Sequence, residues 1–316
     1  MSQNYDIVTI GSMFVEIMRK ELEKPLSMPA DFTGPYPSGD IAIFLNAAAK
    51  LGSKCAIIGA VADDGFGKCV MDRMQESGVD LSMVKVIPGE ATGSAFVCYF
   101  ADGSRNFIYH VRHEASGMLG PEDVDMSRLQ NMKWFHSTGY EMSINKGFAE
   151  ATYKVMENLP AGTKVSFDPN IRPESLSVEQ IITLCEPVLK RADVVFPSKG
   201  EAKMFTGAAS DEEGCRQWAK EGKLVVLKNG SAGSRIYSGD EVFDVPSFHV
   251  TEVDPTGAGD TFGGCCLHYV LKYGLDNLDE EKLTEMLTFA NAAASIVTTR
   301  KGALRVMPEV EEVEAF

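Results

Sequence analysis

Asp254-Pro255-Thr256-Gly257-Ala258-Gly259-Asp260-Thr261-Phe262 runs directly into a stretch whose apolar residues, Phe262, Cys265, Cys266, Tyr269 and Val270, recur at helical spacing until Gly274 closes it. Small residues with free backbone amides therefore lead into a helix. Consecutive N–H groups at a helix amino terminus surround an oxyanion, and the macrodipole adds roughly half a positive charge there. Asp260 falls in the first turn, where a carboxylate is tolerated and expected to be ionised at neutral pH. If the seat holds the γ-phosphate of a nucleotide, Asp260 can take the proton of an attacking hydroxyl while the amides stabilise the phosphoryl oxygens. The bland alternative is a glycine-rich loop with Asp260 as a helix cap.

Outward from this segment the chain alternates short β-branched runs with helical stretches. Asp6 to Ile10, Cys55 to Val61, Lys164 to Phe167, Val194 to Phe196 and Leu224 to Lys228 read as strands. Ile41 to Leu51, Gly67 to Glu76, Val178 to Arg191, Glu212 to Lys220 and the region from Asp260 onward read as helices. Continuously apolar strands such as Leu224-Val225-Val226-Leu227 belong to a parallel sheet covered on both faces, with ligands at the carboxyl ends of the strands. Two stretches, about 13–36 and 91–112, break the rhythm with alternating polarity around an Asp102-Gly103 turn signal. They predict antiparallel strands forming a small lid over the ligand crevice. No linker, repeat or low-complexity segment divides residues 1–316, so one α/β domain is expected.

Composition narrows the function. The 316 residues carry 30 Lys+Arg against 45 Asp+Glu, a formal charge of -15, which opposes nucleic-acid binding. An anionic substrate must then be held by a few focused donors. The longest nearly apolar run, Ile41 to Ala49, is interrupted by Asn46 and falls far short of the roughly 18 to 20 residues that span a bilayer. No secretory pattern follows the start, so a cytoplasmic protein is expected. Seven cysteines without a C-x-x-C pair read as reduced thiols, and the five histidines show no zinc spacing. Ser12 and Ser137 lack the context of a nucleophile.

The 254–262 segment resembles the carboxyl-terminal signature of the ribokinase-like, or PfkB, carbohydrate kinases. Ser38-Gly39-Asp40 through Ala47-Ala48-Ala49-Lys50-Leu51-Gly52 is similar to the amino-terminal signature, with one of its two glycines kept. Ile57 to Gly59, Asp63 to Gly67, and Lys228-Asn229-Gly230-Ser231-Ala232-Gly233 resemble further family stretches, all in order over about residues 7 to 308. The resemblance implies a doubly wound, mostly parallel sheet with helices on both faces and a small β lid. It also implies ATP-dependent phosphorylation of a sugar hydroxyl.

By this resemblance Asp260 is the catalytic base, and Gly257, Ala258 and Gly259 form the anion hole. Lys228, Gly230, Gly233 and Asn291 would line the nucleotide site. The family's Asn-x-x-Glu motif reads Ser198-Lys199-Gly200-Glu201 here, leaving Glu201 to hold Mg2+ through water and Ser198 near the nucleotide. A monovalent cation, K+, near Asp254 is a further family feature.

The sugar site departs most from the pattern. Glu16 stands where the family often has an aspartate, and Ile43 where it has a sugar-contacting asparagine, with Gly39, Asp40 and Asn46 nearby. Asp168-Pro169-Asn170-Ile171-Arg172 resembles a segment of fructokinases and 2-keto-3-deoxygluconate kinases. Asn170 and Arg172 there, with Arg112, would suit a ketose or keto-sugar acid. Phe14, Tyr36, Phe44 and Phe107 are open between packing and sugar contact. A kinase for a nucleoside, inositol or sugar phosphate, and a kinase-like binding module with little catalysis, are the alternatives. Homodimerisation through the lid is expected by analogy and from its sheet edge.

Overall fold

The computed structural model describes residues 4–173 and 176–316. Its strands are β1 (Asn4–Ile10), β2 (Phe14–Arg19), β3 (Phe32–Ser38), β4 (Cys55–Ala62), β5 (Asp80–Ile87), β6 (Gly93–Tyr99), β7 (Arg105–His110), β8 (Asn131–Thr138), β9 (Lys164–Asp168), β10 (Val194–Val195), β11 (Leu224–Lys228), β12 (Ser234–Ser238) and β13 (Glu241–Val245). Its helices are α1 (Asp40–Lys50), α2 (Gly65–Glu76), α3 (Gly139–Ile144), α4 (Lys146–Glu157), α5 (Val178–Arg191), α6 (Glu201–Thr206), α7 (Asp211–Lys220), α8 (Ala258–Tyr273), α9 (Glu280–Thr298) and α10 (Val310–Glu314).

Nine strands form one sheet in the order β13-β12-β11-β10-β9-β8-β1-β4-β5. From β11 to β5 every pairing is parallel, as the continuous apolar runs require. Alternation in β1 explains the double cover. Ile7 joins the core that includes α1, α8 and α9, whereas Val8 and Ile10 face the core built with α4. Beyond β9, Val195 and Val225 pack with α5 and α7. The antiparallel ribbon β12–β13 extends the far edge, an addition the βαβ rhythm did not foretell.

The second sheet has the order β3-β2-β6-β7 and occupies the two stretches expected to form a lid. Its pairing corrects the antiparallel expectation in one place, since β2 and β6 run parallel. Only a short hairpin forces antiparallel geometry, and these two strands are separated by β3, α1, β4, α2 and β5. The β6–β7 pair is the hairpin, turning through Gly103 at φ 81° with the Asp102 carboxylate accepting from the Ser104 amide at 2.8 Å.

Two helices must approach closely for the site to form. A Cβ at Gly264 on α8 would lie 2.3 Å from the Phe44 carbonyl oxygen of α1, so glycine there lets the two backbones meet. That contact sets the amino end of α8 against the amino end of α1.

Candidate active site

Two cavities lie over the carboxyl ends of the parallel strands. The larger, about 570 Å³, is lined by lid residues Phe14, Glu16, Arg105 and Phe107 and by Asp40, Asn170, Arg172 and Asp260 below them. The smaller, about 310 Å³, is lined by Gly230, Gly233, Phe248, Ala258 and Asn291. Both are bordered by Lys228, Pro255 and Gly259. A ligand in each would therefore meet at the start of α8. A third cleft, about 670 Å³, lies between α1, α2 and residues 305–309; Lys50 and Gly65 border it, but none of the residues assigned to catalysis or ligand binding does.

Gly257 caps α8 in the left-handed region at φ 79°, and a Cβ there would come within 2.9 Å of the Ile43 side chain. Both facts demand glycine. Ile43, noted as a departure from the family asparagine, thus packs beneath the anion loop and borders the larger cavity.

Asp260 projects into the larger cavity, but not in the ionisation state expected from its helix position. Burial first, then the negative charge of Asp40, pushes its pKa up to about 8 against the pull of Lys228 and Arg172. Desolvation outweighs the helix-end field because the half-buried carboxyl lines a protein-walled cavity rather than an open surface. A carboxyl poised near neutrality matches the requirement of a general base.

Lys228 forms an ion pair with Asp168, both nearly inaccessible to solvent. Burial would strip the proton from Lys228, yet Asp168 and Glu201 outweigh it and raise its pKa. Asp168 opens the Asp168–Arg172 motif, whose pattern alone gives it no role; its place at the end of β9, near the end of β11, does. Its other oxygen accepts from the Asn170 amide at 3.1 Å.

Asp40 receives hydrogen bonds at 2.8 Å from Thr138 Oγ1 and from Asn170 Nδ2. Asn170 adopts φ 35°, a left-handed conformation asparagine tolerates. Behind this group, Glu141 accepts from both the amide and the hydroxyl of Ser12 at 2.8 Å. Burial and then Asp40 drive the Glu141 pKa well upward. Reading the chain in sequence missed Glu141; the Thr138-x-x-Glu141 cap after a strand was its one local signal.

Ser198 and Glu201 stand at the border of the larger cavity. Glu201 accepts from the Ile171 amide at 2.8 Å and the Ser198 amide at 2.7 Å, which orients it without the missing asparagine. Among the described residues no group of three His, Cys, Asp or Glu side chains is placed to hold a metal. The oxygen donor at Glu201 suits magnesium, which keeps several waters and takes substrate phosphates as ligands.

Glu16 is 4% exposed; its Oε1 accepts from Ser38 Oγ at 2.7 Å, and its Oε2 has no partner. Burial raises its pKa to about 7. Gly39, at φ 118°, abuts the Ser12 carbonyl and does not border the cavity.

Arg112 requires a correction. It is exposed, donates to the Ser143 carbonyl at 3.4 Å and does not border the cavity. The chain leaves β7 at His110, so Arg112 has already turned away, and the lid arginine that borders the cavity is Arg105, at the start of the same strand. Asn46 likewise faces Ser77 rather than the cavity. Phe14 and Phe107 line the cavity, whereas Phe44 stacks on His136 at 3.7 Å and Tyr36 bonds to Thr33.

Asn291 donates to Ser234 Oγ at 3.0 Å and to the Val245 and Pro246 carbonyls, fixing α9 to the edge ribbon beside the smaller cavity. Asp254, named for a monovalent cation, is 1% exposed and accepts from Tyr99 and from the Thr256 amide.

Residues 4–310 match the model of the pfkB family of carbohydrate kinases. The chain belongs to that family. It is a carbohydrate kinase, a phosphotransferase with an alcohol acceptor. This carbohydrate kinase is 31% identical to probable fructokinase-2 of Arabidopsis thaliana over 314 residues, covering 98% of this chain and 95% of the relative. It is 32% identical to fructokinase-1 of Zea mays, covering 97% and 96%. Among solved structures it resembles an E. coli protein provisionally called ribokinase II, in complex with ATP and Mg2+, with TM-score 0.89, 36% identity and coverage of 100% and 98%. A fructokinase with bound ATP from Xylella fastidiosa superposes with TM-score 0.84 at 25% identity, covering 98% of each chain. No helix among the described residues is long and apolar enough to cross a membrane.

Proposed function

We propose that this carbohydrate kinase phosphorylates a ketose or a keto-sugar acid, of the fructokinase or 2-keto-3-deoxygluconate kinase type. The observation that carries the reading is the meeting of two cavities at Gly259 and Lys228, with Asp260 on the sugar side. ATP would occupy the smaller cavity and the sugar the larger.

In this mechanism Asp40, Asn170 and Glu16 orient the sugar, and Asp260 accepts the proton of the attacking hydroxyl. The amides of Gly257, Ala258 and Gly259 stabilise the transferred phosphoryl oxygens, while Lys228 and Arg172 offset their charge. Magnesium, when bound near Glu201, supplies charge neutralisation on the phosphates. The lid strands exclude water as competing acceptor. Arg172 and Arg105 at the cavity support an acidic sugar; relatives named fructokinases support fructose. A coupled ATP-consumption assay with fructose, 2-keto-3-deoxygluconate, ribose, inositol and adenosine separates these. No turnover with any of them, despite tight sugar binding, would favour the binding module. Omitting K+ from the assay tests the cation at Asp254.

We place the protein in the cytoplasm, a reading supported by seven free cysteines, six of them buried. Pairing through the lid is supported by an apolar strip in which Phe96 contacts Phe32, at 5.7 Å between rings, and pairs with the exposed Ile108. Sedimentation of the Ile108→Glu variant tests it.

A further inference from the structure

The lid touches the anion loop at two points on the side of the loop away from the nucleotide cavity. Tyr99, the last residue of β6, donates its hydroxyl to Asp254 Oδ2 at 3.0 Å, and Tyr99 is 5% exposed. Arg105, the first residue of β7, donates from Nη1 to Thr256 Oγ1 at 3.0 Å. These two residues bracket the hairpin turn, and Gly103 and Ser104 within it border the same cavity as Thr256 and Gly257.

The contacted residues are linked to each other. Asp254 Oδ1 accepts from the Thr256 amide at 3.1 Å, and the Asp254 amide is anchored on the Thr298 carbonyl at 3.0 Å. Asp254 and Thr256 therefore form a small turn held from below by α9 and from above by the lid. The next residue is Gly257, the left-handed cap that aims the first amides of α8. A side chain that shifts this turn shifts those amides, and displacements on the order of 1 Å at reacting groups cost about a hundredfold in rate. The Lys301 ammonium lies over the Tyr99 ring, 4.7 Å from its centre.

We propose that Tyr99 and Arg105 are positioning residues that couple the lid to the anion seat, so that the amides of 257–259 are correctly aimed only while the hairpin rests on the loop. Neither touches the transferred group. The proposal rests on the kinase reading above only for its kinetic consequence; the coupling itself is a property of the loop.

The test compares the wild-type chain with Tyr99→Phe and Arg105→Gln by amide hydrogen exchange over residues 254–262 and by steady-state kinetics with whichever sugar is turned over. The expected result is exchange at least about tenfold faster in that segment. With it, kcat falls about ten- to a hundredfold while the KM for ATP stays within about threefold, and thermal midpoints remain close to wild type. A merely structural role would move the midpoint and leave exchange in the loop unselectively changed. Unchanged loop exchange in both variants overturns the proposal, as does faster exchange with kcat within about twofold of wild type. Should Tyr99→Phe fail to fold, Arg105→Gln decides through loop exchange, because its side chain is exposed and, bordering the sugar cavity, would mix substrate binding into the kinetics. If wild type turns over no sugar, the proposed function fails, and the exchange comparison still judges the coupling.

Discussion

Lys228 and Asp168 form a buried ion pair at the border of the two cavities, one from the end of β11 and the other from the end of β9. β10 lies between those strands, so the pair bridges one intervening strand at the sheet's carboxyl edge. Neither charge is stabilised alone, because each has lost most of its water.

Lys228→Met is expected to lower stability by about 3–5 kcal/mol, since it leaves Asp168 buried and unpaired. The double variant Lys228→Met with Asp168→Asn should recover most of that loss in urea titration while remaining inactive. If the single variant is as stable as wild type, the pair is not buried in solution.

Asp260→Asn preserves shape and hydrogen bonding but removes the proton acceptor. Turnover should fall on the order of 10²- to 10⁴-fold, with sugar-induced thermal stabilisation kept. Near-wild-type phosphorylation would remove Asp260 from the base role.

The pH dependence of kcat/KM reports the free enzyme. With Asp260 at about 8 because burial and Asp40 outweigh Lys228 and Arg172, kcat/KM should climb toward about pH 8 and then level. A flat profile across neutral pH contradicts that placement of the carboxyl.

Glu16 offers the matching stability experiment. Burial raises its folded pKa from 4.5 to about 7, so the native state binds the extra proton in that window. Its contribution is fully present below the unfolded value and is lost as pH rises toward 7. Glu16→Gln should therefore gain on wild type between these limits, by up to roughly 3 kcal/mol at alkaline pH. Parallel denaturation curves at acid and alkaline pH check it; a constant difference contradicts it.

Gly257→Ala meets two penalties, a positive φ and an approach to Ile43. A loss of about 1–3 kcal/mol is expected, with a larger effect on kcat than on binding. Calorimetry beside kinetics measures both, and an unchanged midpoint would show that the cap relaxes.

The local order of the chain settled much about this protein. Continuous apolar runs such as Leu224 to Leu227 dictated strands buried on both faces, and the small residues before Phe262 dictated a helix with open amides, because each depends only on near neighbours. What folding alone decided is which distant groups meet. Asp168 found Lys228, Glu141 found Ser12, and Arg105 rather than Arg112 reached the crevice through the direction of a single strand. The ionisation of Asp260 also belongs there, since the cost of a buried charge is set by everything packed around it and not by its position on a helix.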